Sequence, residues 1–138
     1  MNYWVHVISK DHALTGVEAG FIRAKPVDLQ LLGKGDLVFF YSPGTLFRAG
    51  EILQAFTAVA RVTSDAPYQV ETSPKVHAWR LNATFLTCEE APIEPLIPRL
   101  DFIQDTANWA RFLPRGMFAI GGDDAGRIAD AMKAHIAQ

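Results

Sequence analysis

The residues able to do chemistry are sparse in this chain, and their spacing narrows what they can do. Cys88 is the single cysteine, and His6, His12, His77 and His135 are the imidazoles that could serve it as a base. A thiol nucleophile needs its pKa lowered by a nearby cation, imidazolium or helix N-terminus. Cys88 has Thr87, Glu89 and Glu90 as neighbours instead, and two carboxylates disfavour a thiolate. The histidines form no i,i+4 pair and no cluster with cysteine or carboxylate at ligand spacing, so no metal site is expected. Glu89 and Glu90 are adjacent, which on a strand sends them to opposite faces and suits shared acid–base work poorly. The run Gly121-Gly122-Asp123-Asp124-Ala125-Gly126 reads GGxxxG rather than the GxGxxG of a dinucleotide turn. Its two aspartates would repel a pyrophosphate where backbone N–H groups should meet it, so a capped helix is the expectation and no cofactor is assigned.

Aromatic residues are the informative class. Trp4, Tyr41, Trp79 and Trp109 fall on different segments, beside polar groups such as Ser9, Ser42, Arg80 and Arg111. A flat ligand such as a nucleobase needs stacking faces, worth roughly 1–3 kcal/mol each, and polar groups for its edges. The plainer alternative is that most of these rings fill the core, since large aromatics dominate small interiors.

The elements that must position these groups read as follows. Residues 2–8 mix aromatic and β-branched types and form a first strand. Ser9 or Asp11 then caps a helix that Gly16 and Gly20 hold to about two turns. Gly33-Lys34-Gly35-Asp36 is a turn into the apolar strand Leu37–Tyr41, which Ser42-Pro43-Gly44 ends before a loop over 44–51. Residues 53–62 make a third strand. In 76–87, Trp79, Leu81, Ala83 and Phe85 alternate with Arg80, Asn82 and Thr84, the period of a strand with one apolar face. Pro92, Pro95 and Pro98 break 90–106 into loops and short helical turns. Residues 117–120 are a short strand, and Ala125, Ile128, Ala129, Met132 and Ile136 mark an amphipathic helix over 123–137 with Asp123 as N-cap. About six short strands not regularly separated by long helices argue for an α+β fold, a closed or half-closed barrel with flanking helices, over a doubly wound parallel sheet.

Composition bounds the function. The chain has 138 residues, 49% hydrophobic and 20% charged, which suits one domain with its own core and excludes a disordered tail or a disulfide scaffold. Net charge is −2. Acidic and basic residues are balanced in every part of the chain, so no basic tract exists to grip a long run of phosphates. One base in a pocket remains open. The apolar start Met1–Ile8 lacks leading basic residues and is interrupted by Lys10 and Asp11, so it is no signal peptide. No stretch nears the roughly 20 apolar residues of a spanning helix, and a cytoplasmic protein without a membrane partner is expected.

An ordered set of segments resembles the EVE domain of the PUA-like superfamily. It runs Asn2-Tyr3-Trp4-Val5, Ser9-Lys10-Asp11-His12, Gly16-Val17-Glu18-Ala19-Gly20-Phe21, Lys34-Gly35-Asp36 with Tyr41-Ser42-Pro43, and Phe56-Thr57-Ala58 to Arg61-Val62. It continues through Tyr68-Gln69-Val70, Ile93-Glu94-Pro95-Leu96-Ile97, Leu100, Phe102 and Ile103, Trp109, and Arg115-Gly116-Met117-Phe118. The resemblance covers nearly all of residues 1–138 as one domain. It implies a PUA-like mixed β-barrel with flanking helices, related to YTH and ASCH domains, and a module that reads a modified base in DNA or RNA. The implied cleft is lined by Ser9, Lys10, Asp11 and His12, by Val17, Gly20 and Phe21, and by Tyr41 and Ser42. Trp79 and Trp109 are candidates for an aromatic cage, with Arg80, Lys10 and Arg111 toward flanking phosphates. The family's Gly-Gly before phenylalanine is Ala19-Gly20 here, and the added methyl narrows the backbone approach to a ligand. Two other readings stand beside it. One is a small enzyme acting on a nucleotide-like molecule in the same cleft with Asp11 or His12 as general base. The other is a protein-interaction module using a patch at Leu46-Phe47.

Overall fold

A computed structural model of the chain describes residues 1–46, 50–74 and 76–136. Strand β1 (Tyr3–Val7) leads into helix α1 (Lys10–Ala19), the short strand β2 (Phe21–Arg23) and a single helical turn α2 (Pro26–Leu29). Strands β3 (Leu37–Gly44), β4 (Ile52–Val62), β5 (Tyr68–Ser73), β6 (Val76–Phe85) and β7 (Ala91–Pro92) follow. Two 3₁₀ segments (Glu94–Leu96 and Thr106–Phe112), strand β8 (Gly116–Ile120) and helix α3 (Gly122–Ala131) complete the chain.

The strands form one curled sheet in the order β2-β6-β4-β3-β1-β8, with β5 on β6 and β7 on β4. Among the described residues only β1 and β3 pair in parallel, because the chain between them crosses over through α1, β2 and α2. The curl is an open half-barrel with flanking helices, and it places core on both sides of its centre. Val5, Val7, Leu37, Phe39 and Tyr41 face a cluster completed by Phe56, Ile93, Leu96, Leu100, Ile128 and Met132. Val38 and Phe40 face a second cluster with Ile22, Leu29, Ala58, Ala60 and Leu81, against which Trp4 and Ile8 pack. A strand buried on both faces needs no alternation, which is why Leu37–Tyr41 is continuously apolar. In β6 the alternation expected from sequence is realised. Leu81 and Ala83 are buried, Trp79 and Phe85 half-buried, and Asn82 and Thr84 exposed.

Several elements differ from sequence expectation for physical reasons. Helix α1 runs ten residues, with Gly16 inside it. A Cβ on Gly16 would lie 2.4 Å from the Phe21 carbonyl oxygen, so glycine lets α1 press onto the start of β2. The stop comes at Gly20, in the left-handed region at φ 77°, whose N–H donates to Gly16 O. Strand β3 continues past Tyr41 because bulges between Phe40 and Tyr41 and between Ser42 and Gly44 absorb the turn residues into the hairpin. Helix α3 stops at Ala131 rather than 137. Lys133 takes φ 55°, and Ala134 N–H donates to Ala129 O to close the end. The N-cap of α3 is Gly121, not Asp123. Asp124 is buried and accepts from the N–H groups of Asp101 (2.7 Å) and Phe102 (3.0 Å) and from Arg127 (2.9 Å), pinning the preceding loop to the helix.

Candidate functional site

The C-terminal end of β1 hands its chain straight to α1, and Ser9 stands at the junction. Its hydroxyl donates to Asp11 Oδ1 at 2.6 Å rather than capping the helix directly. That bond, with the backbone N–H of His12, holds the Asp11 carboxyl below the usual carboxylate range. Asp11 N–H in turn donates to Thr45 O at 3.1 Å, tying the start of α1 to the β3–β4 hairpin. The hairpin is closed by Thr45 N–H to Glu51 O (3.0 Å) and Glu51 N–H to Thr45 Oγ1 (2.9 Å). On the other side of β1, antiparallel pairing sets Val7 opposite Gly116 and so brings Arg115 to the same end of the sheet.

These elements enclose a cavity of about 450 Å³. That volume falls within the roughly 300–1,000 Å³ of small-molecule sites. Val7, Ile8, Pro43, Leu46 and Ile52 supply its apolar walls, and Ser9, His12, Glu51 and Arg115 supply polar groups of four kinds. Such a wall can hold a planar, partly apolar ligand while an acceptor, a hydroxyl, an imidazole and a guanidinium read its edges. Ile52, which also lines the cavity, is 83% exposed. Beneath the site His6 is 3% exposed, its ring 5.5 Å from that of Phe40, and its Nδ1 has no hydrogen-bond partner. Burial first, and the nearby His12 second, lower its pKa to about 4, so it is neutral at pH 7.

Of the residues singled out from sequence, Ser9 and His12 line this cavity. Asp11 is bonded to Ser9 beside it, and Lys10 is engaged by Glu90 at 2.9 Å. The others stand elsewhere. Val17 is exposed further along α1, and Gly20 caps that helix. Phe21 lies under the Arg80 guanidinium, 4.0 Å from ring centroid to Cζ. Tyr41 is in the first core cluster, its ring 5.4 Å from that of Phe56, and burial pushes its phenol up to about 12. Ser42 is fully buried with its hydroxyl 2.8 Å from that of Thr57. Trp79 packs against the second cluster and Trp109 against the first. The described wall of the cavity therefore carries His12 as its ring and no Trp, Tyr or Phe. Leu46 of the suggested patch lines the cavity, and Phe47 lies outside the described residues. Glu51, Ile52 and Arg115 were not candidates from sequence. Arg115 belongs to the segment Arg115-Gly116-Met117-Phe118, and nothing local marks Glu51 or Ile52. Cys88 is half-buried, and burial raises its thiol pKa, the opposite of what a nucleophile needs.

The chain is a mixed α+β domain, a curled half-barrel sheet with flanking helices and a cavity at one sheet end. The EVE domain family profile matches residues 2–131, and the chain belongs to that family. A UPF0310 protein of Mycolicibacterium vanbaalenii is 44% identical over 143 residues, covering 99% of both chains. A UPF0310 protein of Mycobacterium avium is 42% identical over 135 residues, covering 96% of this chain and 98% of its own. In solved structures the fold recurs in a Rhodopseudomonas palustris protein determined by NMR, with TM-score 0.57, 11% identity and 96% and 94% of the two chains covered. The EVE family is associated with nucleic-acid binding. No helix among the described residues is long and apolar enough to cross a membrane.

Proposed function

We propose that this chain is a nucleic-acid-binding module that takes one base, modified on its apolar edge, into the cavity at the end of β1 and β3. The observation that carries the reading is the convergence of four chemically different polar groups, Ser9, His12, Glu51 and Arg115, on one cavity with apolar walls. Extruding a base costs a few kcal/mol. Contact with the His12 ring and burial against Ile8, Leu46 and Ile52 offset it. Glu51 accepts from an exocyclic amine, Ser9 contributes a hydroxyl, and Arg115 places positive charge near the entering backbone. A methyl mark buried against the apolar wall adds about 0.8 kcal/mol, close to a fourfold preference. The wall carries one guanidinium beside the Glu51 carboxylate, so the cavity alone gives a shallow salt dependence, with a slope no steeper than about −0.7 for a single strand.

The test is titration of short oligonucleotides, with and without 5-methylcytosine or N6-methyladenine, and of the free nucleosides at low salt. Binding that favours the methylated form about fourfold, and that weakens at least tenfold in Ile52→Asp, supports the reading. Ile52 is exposed enough that this change leaves folding intact. Failure of every oligonucleotide and nucleoside to bind below millimolar concentration overturns it.

A further inference from the structure

The outer face of β2, β6 and β5 carries positive charge that no described carboxylate neutralises. Arg23 on β2 is the register partner of Arg80 on β6, and Arg80 is the register partner of Tyr68 on β5. Residues directly opposed in an antiparallel pair share a face, with Cβ atoms about 5 Å apart. The row Arg23, Arg80, Tyr68 thus crosses three strands on the side away from Ile22 and Leu81, which are buried in the second core cluster. Like charges opposed across a ladder are mildly destabilising, and an anion held between them relieves that repulsion. Among the described residues the ion pairs engage Lys10, Arg127 and Lys133, and neither of these two arginines.

The Arg80 head is also held in place. It lies over the Phe21 ring at 4.0 Å, and its Nε is buried without a hydrogen-bond partner. A guanidinium stacked this way is pre-oriented, with its terminal nitrogens left for a ligand. Tyr68 beside it is 36% exposed, and its hydroxyl donates to Asn82 Oδ1 at 2.6 Å, which fixes the ring. Two uncompensated cations next to a fixed, exposed aromatic ring match the repeating phosphate and planar base of a single strand.

We infer that this face is a second contact surface, on which Arg23 and Arg80 take two backbone phosphates of a single-stranded nucleic acid and the Tyr68 ring stacks on one base. It shares the ligand class of the cavity reading but none of its residues. Helix α1, ten residues and so about 15 Å long, leads from the cavity at its start to Gly20 and β2. With both surfaces engaged, the salt slope steepens from about −0.7 to about −2.

The experiment measures binding of a short single-stranded oligonucleotide to the full chain across a salt series, with a free nucleoside in parallel. Arg23→Gln should weaken the oligonucleotide about fivefold and flatten the slope by about 0.7, with nucleoside affinity unchanged. Tyr68→Leu should weaken it about tenfold. Arg80→Gln uncovers Phe21, so its melting temperature is recorded beside it and the exposed Arg23 carries the test. Wild-type affinity and slope in both Arg23→Gln and Tyr68→Leu would overturn this inference, and if Ile52→Asp still weakens binding, the cavity reading survives alone. The reverse pattern, Arg23→Gln weak and Ile52→Asp unaffected, keeps this surface and removes the cavity. Inorganic phosphate competing as well as the oligonucleotide would overturn the assignment to a polymer, and absence of oligonucleotide binding would overturn this inference, with the nucleoside arm deciding the cavity reading.

Discussion

The indole N–H of Trp4 donates to Asp36 Oδ2 at 3.0 Å, joining the first strand to the turn that starts β3. The same carboxylate accepts from Asn2 N–H and Gly33 N–H, both at 2.9 Å, and is only 4% exposed. One side chain therefore anchors the N-terminus, a tryptophan and the Gly33–Asp36 turn.

Removing that acceptor frees three part-buried N–H groups, of which those of the exposed Asn2 and Gly33 can turn to water. Asp36→Ala should cost about 2 kcal/mol, the worth of hydrogen bonds to a charged acceptor less what water restores. Asp36→Asn should do little better, because its amide turns a donor toward donors. Urea unfolding measures both, and a loss below about 0.5 kcal/mol for Asp36→Ala would refute the clamp.

His6 links stability to acid. Its pKa lies near 4 in the fold against 6.5 when unfolded, so between these values the unfolded chain binds more protons. Its contribution is complete above pH 6.5 and is lost as pH falls toward 4, amounting to about 3 kcal/mol. Unfolding curves at a series of pH values should show this decline in the wild type and a flatter profile in His6→Leu. An equal slope in the two proteins would mean that other groups set the acid sensitivity.

Gly16→Ala tests how tightly α1 sits. Alanine gains about 1 kcal/mol of helix propensity. Its methyl would meet the Phe21 carbonyl oxygen at 2.4 Å and the Phe85 ring at 3.3 Å. Overpacking of that kind costs about 3 kcal/mol, so the net loss should be about 2 kcal/mol, or roughly 6 °C in Tm. Because α1 carries Ser9 and His12 at its other end, ligand affinity should fall with it. A Tm at or above wild type would show that the helix can shift freely.

Cys88 should be a sluggish thiol. Burial raises its pKa, so at pH 7.5 the folded protein should react with a thiol-specific disulfide reagent at least tenfold more slowly than the same chain in denaturant. Comparable rates would place Cys88 in an exposed, activated setting.

Local pattern carried much of the fold. The alternation from Trp79 to Phe85 marked β6, the apolar run Leu37–Tyr41 marked the strand β3, and the spacing from Ala125 to Met132 marked α3. Strands β2 and β7 left no such mark, because three and two residues are too few to show a period, and their pairing with β6 and β4 is what makes them strands. The site divides in the same way. Ser9 and His12 stand together because they belong to one helix start, a local matter that residue types can signal. Glu51 and Arg115 reach the same cavity only through the β3–β4 hairpin and the β1–β8 register, and Arg23 meets Arg80 only across β2 and β6. The amino-acid order determined the longer helices and strands and the turns between them, through propensity and periodicity between near neighbours. Which distant side chains came to share a wall was decided by long-range strand pairing and by the packing of α1 through Gly16, since contacts between residues tens of positions apart depend on the register of the whole sheet.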